Sequence, residues 1–300
     1  MGNYTSSFAL SILLLHSIAL SLGSTILNSV TDKNSLISFK NSTISNPHSL
    51  LSSNWSQNTS VCNWIGVSCG LKHGRVTALN LSGYGLAGTV APHLRNLTFL
   101  RYLDISSNSF TGILPLELSK LRRLKVMNVG DNSFTGEIPT WLGSLPQLEE
   151  LYLYNNTFLG TIPASLFNNS NLSSLQVLDL DNNKLTGPIP RGIFDVTSMR
   201  EIRIRNNSLS GRLPIDMCNN LRNIVTLSIS GNQFSGDIPP NIWECKGLQL
   251  LDLSLNHFNG KIPSGIGSLS MLKELNLGIN DFHGILISCL SIYSEFIHYS

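Results

Sequence analysis

Charge is scarce in this chain. Asp, Glu, Lys and Arg make up 13% of its 300 residues and leave a formal net charge of only +2. An ordinary soluble domain carries about twice that charged share. So small an imbalance gives no strong electrostatic bias toward nucleic acid or an anionic membrane. Histidine is scarce as well. Its seven copies are scattered, with no H-E-x-x-H and no ligand spacing, so no metal is expected. No P-loop and no kinase catalytic loop occurs. The stretch GKIPSGIGSLS from Gly260 lacks the third glycine of G-x-G-x-x-G and the Gly-Lys-Ser/Thr of a P-loop. No catalytic activity and no cofactor are expected. Long apolar runs are nearly absent too. The one present, Phe8 to Leu22, is broken only by Ser and His16 and is followed by Gly23 and Ser24. That is the length of a signal-peptide core, so residues 1–24 are expected to be a secretory signal, although no Lys or Arg precedes them. No membrane span is expected beyond it.

Asn, Ser, Leu and Gly fill the space that charge leaves. Asn-x-Ser/Thr begins at Asn41, Asn54, Asn58, Asn80, Asn96, Asn155, Asn168, Asn171 and Asn206. With an export signal, this pattern predicts a glycosylated protein of the secretory pathway, extracellular or at the cell surface.

A repeat dominates the rest. LRYLDISSNSFTGILP, LKVMNVGDNSFTGEIP, LEELYLYNNTFLGTIP and LQVLDLDNNKLTGPIP succeed one another from Leu100. MREIRIRNNSLSGRLP, IVTLSISGNQFSGDIP, LQLLDLSLNHFNGKIP and LKELNLGINDFHGILI continue the series, and RVTALNLSGYGLAGTVAP precedes it from Arg75. The recurring Asn108, Asn132, Asn156, Asn183, Asn207, Asn232, Asn256 and Asn280 are spaced by 24 to 27 residues. In each L-x-L, alternate side chains face opposite ways. Leu103 and Ile105 are expected inside and Asp104 outside. One such strand cannot bury its face alone, but stacked copies form a parallel sheet over a continuous core. The recurring Asn is expected to satisfy backbone groups of neighbouring turns. The following Gly permits a bend, and Pro suits an outer segment that lacks one donor. At about 4.8 Å per strand, nine copies span about 40 Å.

The pattern resembles the plant-specific leucine-rich repeats, L-x-x-L-x-x-L-x-L-x-x-N-x-L/F-x-G-x-I-P, over Arg75 to about Gly284. TDKNSLISFKNSTISNPHSLLSSNWSQNTSVCNWIGVSCG looks like the N-terminal cap of plant receptor ectodomains. The resemblance implies an α/β-type repeat solenoid, a right-handed superhelix. Its parallel sheet would line the concave face, with irregular or 3-10 segments on the convex face. The expected organisation is a cap over 25–74, about nine repeats over 75–284 and a degenerate, uncapped tail over 285–300. It also implies a disulfide between Cys62 and Cys69, in keeping with an oxidising compartment. Cys218 and Cys245 sit at different offsets in repeats six and seven. They are expected to be buried apolar thiols rather than a pair. Cys289 lies past the last recognisable motif.

A solenoid of this kind binds on its concave sheet. Aligning the repeats predicts a column Asn80, Asp104, Asn128, Tyr152, Asp179, Arg203, Ser228, Asp252, Asn276. Beside it runs Ser82, Ser106, Gly130, Tyr154, Asp181, Arg205, Ser230, Ser254, Gly278. Repeats four to six thus read Tyr, Asp, Arg twice. Two lateral salt bridges are expected, Asp179 to Arg203 and Asp181 to Arg205. Tyr152, Tyr154, Asp179, Asp181, Arg203 and Arg205 are the candidate ligand site, because aromatics and Arg anchor protein interfaces. Arg203-x-Arg205 also resembles the element that some plant peptide-hormone receptors use for a ligand's C-terminal carboxylate. There it lies near the last repeats, here in the sixth of nine. The resemblance is strongest to plant immune receptor kinases, without their membrane and kinase parts. It implies a secreted or truncated recognition module for a peptide or protein ligand, with a co-receptor ectodomain as a further candidate partner. The alternatives are a secreted inhibitor similar to polygalacturonase-inhibiting proteins, and a receptor fragment with no function of its own.

Overall fold

The computed structural model describes residues 29–44, 50–168 and 171–283. The expected signal segment, the tail beyond residue 283 and Cys289 lie outside them. Nine short strands, one per repeat, stack in register: Val76–Asn80, Tyr102–Asp104, Val126–Asn128, Glu150–Tyr152, Val177–Asp179, Glu201–Arg203, Thr226–Ser228, Leu250–Asp252 and Glu274–Asn276. Neighbouring repeats pair in parallel throughout. A tenth strand, Val67–Cys69, joins antiparallel at the first repeat.

The repeat leucines explain the stack. Leu103, Met127, Leu151, Leu178, Ile202, Leu227, Leu251 and Leu275 are each at most 2% exposed, so every strand buries one face in a shared core. The recurring Asn then closes each turn. The Asn132 side-chain amide donates to the Ile105, Val129 and Gly130 carbonyls at 3.0, 3.2 and 3.0 Å, and its oxygen accepts from Phe110 N at 2.9 Å. The same pattern recurs through Asn280. The residue before each such Asn takes a left-handed backbone, φ 48–55° at Ser107, Asp131, Asn155, Asn182, Asn206, Leu255 and Ile279.

One feature exceeds the expectation of an irregular outer course. The N-x-F-x-G segments, from Ser109–Gly112 to Asp281–Phe282, form a second parallel sheet. Each runs extended once the Asn has anchored it, and identical segments one turn apart satisfy each other's backbone groups. Phe110, Phe134 and Phe158 stack beneath it at 6.2 and 6.4 Å; Phe234, Phe258 and Phe282 do so at 6.3 and 6.5 Å. Pro115, Pro139, Pro163, Pro190 and Pro263 each precede a single 3-10 turn, as Pro139 does for Thr140–Ser144.

The cap is held by more than apolar contact. Residues 29–42 are helical and place Asp32, Leu36 and Phe39 on one face, all 0% exposed. Asp32 receives a two-pronged contact from Arg75, Nε at 2.8 Å and Nη2 at 2.7 Å, and also accepts from Val76 N at 2.9 Å. This buried ion pair joins the cap helix to the first repeat. Trp55 stacks on Trp64 at 5.1 Å, and Cys62 is bonded to Cys69.

Cys218 and Cys245 correct the expectation of buried thiols. Both are buried, but they form a disulfide across a Cα separation of 5.2 Å. Their unequal offsets are absorbed by the outer course of repeat six. There residues 215–220 form turns, whereas repeat seven has a 3-10 turn, Ile242–Glu244, capped by Cys245.

Candidate functional site

The two predicted columns stand as aligned. Tyr152, Asp179, Arg203 and Ser228 are register partners on successive strands. In the adjoining column Asp131 N bonds to the Tyr154 carbonyl, Asn155 N to Asp181 and Asn182 N to Arg205, one turn apart each time. All six candidate residues therefore share one face of repeats four to six.

Their pairings are only half as expected. Arg205 does pair with Asp181. Its Nε and Nη2 lie 2.7 and 2.6 Å from Oδ2, and its own backbone N–H reaches Oδ1 at 2.6 Å. Asp181 is 3% exposed and Arg205 half-exposed, and the hydrogen bond to Asp181 raises the Arg205 pKa. Arg203 does not pair with Asp179. Its Nη2 lies 2.8 Å from Glu201 Oε2, two residues back on the same strand. Glu201 faces the same side and reaches the solvated rim, where a guanidinium keeps its hydration. Asp179 is sunk between its neighbours at 8% exposure, and its Oδ1 is already engaged by Asp181 N at 3.0 Å.

Asp179 is accordingly perturbed. Burial, then the nearby Asp181 charge, lifts its pKa from 3.8 to about 6; the Asp181 N–H and the two guanidinia oppose the shift without cancelling it. A carboxyl whose native pKa is raised binds its proton more tightly in the folded state. Its ionisation costs nothing below the unfolded value. It becomes a growing penalty as pH rises from there, complete above the native value. We expect Asp179→Asn to leave stability unchanged at about pH 3.5 and to raise it at pH 7 by roughly 2 kcal/mol, measured by urea unfolding at both pH values. Equal stabilisation at both would contradict this account.

The tyrosines form a small aromatic corner. Tyr152 and Tyr154 meet edge to face at 6.5 Å. A Cβ added to Gly130 would lie 2.4 Å from the Tyr154 ring, so the missing side chain is what seats that ring on the sheet. The Tyr152 hydroxyl donates to Glu150 Oε2 at 2.9 Å, and burial followed by that bond raises its pKa. Burial raises Tyr154 as well. Both hydroxyls are neutral donors at physiological pH. Glu150, Glu201 and Gly130 were not among the candidate residues. An i, i+2 reading along each strand would have found the two glutamates, since Glu150–Tyr152 and Glu201–Arg203 share a face.

Three asparagines frame the corner. Asn206 Nδ2 donates to Asn182 Oδ1, and Asn182 Nδ2 to Asn155 Oδ1, both at 2.7 Å. Asn155 and Asn206 begin sequons and are exposed, as are Asn41, Asn58, Asn80, Asn168 and Asn171. Asn54 and Asn96 are half-buried.

This stacked, capped architecture agrees with what the chain matches. Residues 30–70 fit the leucine rich repeat N-terminal domain. Residues 92–158 and 146–209, and then 223–245 and 247–269, fit leucine rich repeats. The chain belongs to the leucine-rich-repeat family. Over 80 residues, 27% of this chain and 8% of the relative, it is 41% identical to the LRR receptor-like serine/threonine-protein kinase EFR of Arabidopsis thaliana. Among solved structures it resembles the LRR ectodomain of the Arabidopsis receptor kinase GASSHO1/SCHENGEN3, in complex with CASPARIAN STRIP INTEGRITY FACTOR 2. The TM-score is 0.81 at 32% identity, over 87% of this chain and 31% of that one. It also resembles the Arabidopsis receptor kinase HAESA in complex with the peptide hormone IDA and the co-receptor SERK1. There the TM-score is 0.69 at 29% identity, over 84% of this chain and 46% of that one. The chain thus spans less than half of either solved chain. Among its described residues no helix is long and apolar enough to cross a membrane.

Proposed function

We propose that this leucine-rich-repeat chain is an extracellular receptor-type recognition module that holds a peptide on the concave face of repeats four to six. The observation that carries this reading is the state of Arg203. It stands on the same face as Tyr152, two strands away across Asp179, and its carboxylate partner is the partly exposed Glu201 on its own strand. Exposed pairs of this kind contribute little, so exchange costs little. A ligand carboxylate can replace Glu201 and take the planar guanidinium in a two-pronged contact. Arg205 is already committed to buried Asp181 and serves as a fixed wall.

The local charge narrows the ligand. Glu150, Asp179, Asp181 and Glu201 outnumber Arg203 and Arg205. A peptide that offers a carboxylate to Arg203 and a basic or hydrogen-bond-donating side chain to the freed Glu201 suits both signs. The extracellular placement is supported by the two disulfides and by the likeness to receptor ectodomains. The HAESA structure, in complex with a peptide hormone, supports a peptide as the class of ligand.

The reading is tested with a synthetic peptide library carrying free C-termini. Peptides retained by the chain are expected to lose at least about ten-fold in affinity, roughly 1.4 kcal/mol, on C-terminal amidation or with the Tyr152→Ala/Arg203→Ala double variant. The variant's melting temperature should shift far less, because both side chains are half-exposed. Binders indifferent to both changes would sink the proposal.

A further inference from the structure

The small net charge conceals a strong asymmetry along the solenoid. Residues 29–125 carry ten Lys and Arg against three Asp and Glu, a net of +7. Residues 126–283 carry ten against fourteen, a net of −4. In the first part Asp32 is consumed by Arg75, and Lys125 is answered by Glu149 from the next repeat. Among the described residues, none of the exposed Lys72, Arg101, Arg122 and Arg123 is paired with a carboxylate. Such a local field steers and holds anionic partners.

Two arginines and a histidine of this region gather about one ring. Arg123 lies over Phe99 at 4.1 Å, Arg75 at 4.7 Å, and His73 packs against it at 5.5 Å. Stacking on Phe99 restrains the Arg123 guanidinium while leaving its N–H edge free, which preorganises it for a carboxylate. Arg101 sits one turn from Lys125, whose N–H bonds to the Arg101 carbonyl. Beside the patch, an open groove of about 510 Å³ runs along the cap, and Lys72 and His73 border both. Val30, 47% exposed, supplies the groove with apolar surface.

We propose that the flank formed by the cap and the first three repeats, centred on Phe99 with Lys72, His73, Arg101, Arg122 and Arg123, docks a short acidic segment of a partner protein. The extent of the patch decides for a short segment over a long polyanion. Three rows about 4.8 Å apart match only about three residues of extended chain at roughly 3.3 Å each. Past Lys125 the same column continues as Glu149, and Glu150 follows. A long anionic polymer running along the solenoid would meet like charge there. The groove accepts an apolar side chain next to the segment's carboxylates. This surface is separate from the concave site and does not depend on it.

The test uses the full chain and a fluorescent hexaglutamate peptide, followed by anisotropy at low and physiological salt. Saturable binding that weakens with salt is expected. Arg101→Ala/Arg122→Ala/Arg123→Ala should weaken it at least about ten-fold with an unchanged melting temperature, since all three side chains are exposed. Arg212→Ala/Lys261→Ala, on later repeats, should leave it unchanged. A polyuronate chain is the second arm. Tighter binding per carboxylate to the polyuronate than to the peptide would overturn the proposal. So would absent peptide binding, or peptide binding indifferent to the triple variant.

Discussion

Asp32→Ala is expected to destabilise the chain by about 3–5 kcal/mol, the usual consequence of leaving one member of a buried ion pair uncompensated. Asp32 is 0% exposed and Arg75 6%. Without the carboxylate, Arg75 retains only long contacts to Thr98 Oγ1 at 3.4 Å and the Asn96 carbonyl at 3.5 Å, besides the Phe99 ring. Val76 N, at the start of the first repeat strand, also loses its acceptor. Because this one carboxylate links the cap helix to the repeat stack, the damage should begin at the N-terminal end. Urea unfolding and limited proteolysis read both effects. Asp32→Leu with Arg75→Met should recover most of the loss, since well-packed apolar residues replace buried pairs at little cost. A loss under about 1 kcal/mol in the single variant would show that Leu36 and Phe39 hold the cap without the pair.

Asn156→Ala should have the second largest effect, roughly 3 kcal/mol. The residue is 8% exposed and makes four bonds. It donates to the Val129, Leu153 and Tyr154 carbonyls at 3.1, 3.2 and 3.0 Å and accepts from Phe134 N at 2.9 Å. Alanine leaves Phe134 N without its acceptor, which costs about 1–3 kcal/mol, and removes one of two donors from each carbonyl; these keep only Asn132 Nδ2, Asn183 Nδ2 and Asp131 N. The consequence reaches the candidate site, because the Tyr154 carbonyl is one of those acceptors. Peptide affinity should therefore fall along with stability, whereas the equivalent Asn256→Ala, four repeats away, should cost similar stability and leave affinity intact. Equal affinity losses in the two variants would separate the site from repeat four.

The recurring leucines and asparagines made the solenoid legible before any coordinate. A period of 24 to 27 residues sets which side chains share a face and which residues become neighbours one turn on. The columns through Tyr152, Asp179 and Arg203 follow from that period alone, and the structure places them in the same order. The Asn amides also fell where their chemistry required. Less legible were the partners of long side chains. Arg203 has two carboxylates within reach, one across the register and one along its own strand. Alignment of repeats favours the first, whereas solvation favours the second. The Cys218–Cys245 disulfide escaped the alignment for a related reason, since it lies on the outer course where repeats six and seven differ in local geometry.

The sequence by itself determined the repeat, the core, the inner sheet and the set of residues on its concave face, because periodicity acts through backbone geometry common to every copy. Only the tertiary structure decided that Arg203 turns to Glu201, that Cys218 joins Cys245, and that Asp32 reaches 43 residues along the chain to Arg75. It alone gathered Lys72, His73, Phe99 and Arg123 at one flank of the solenoid. Those outcomes depend on burial and on competition between nearby partners, quantities that a repeat pattern does not carry.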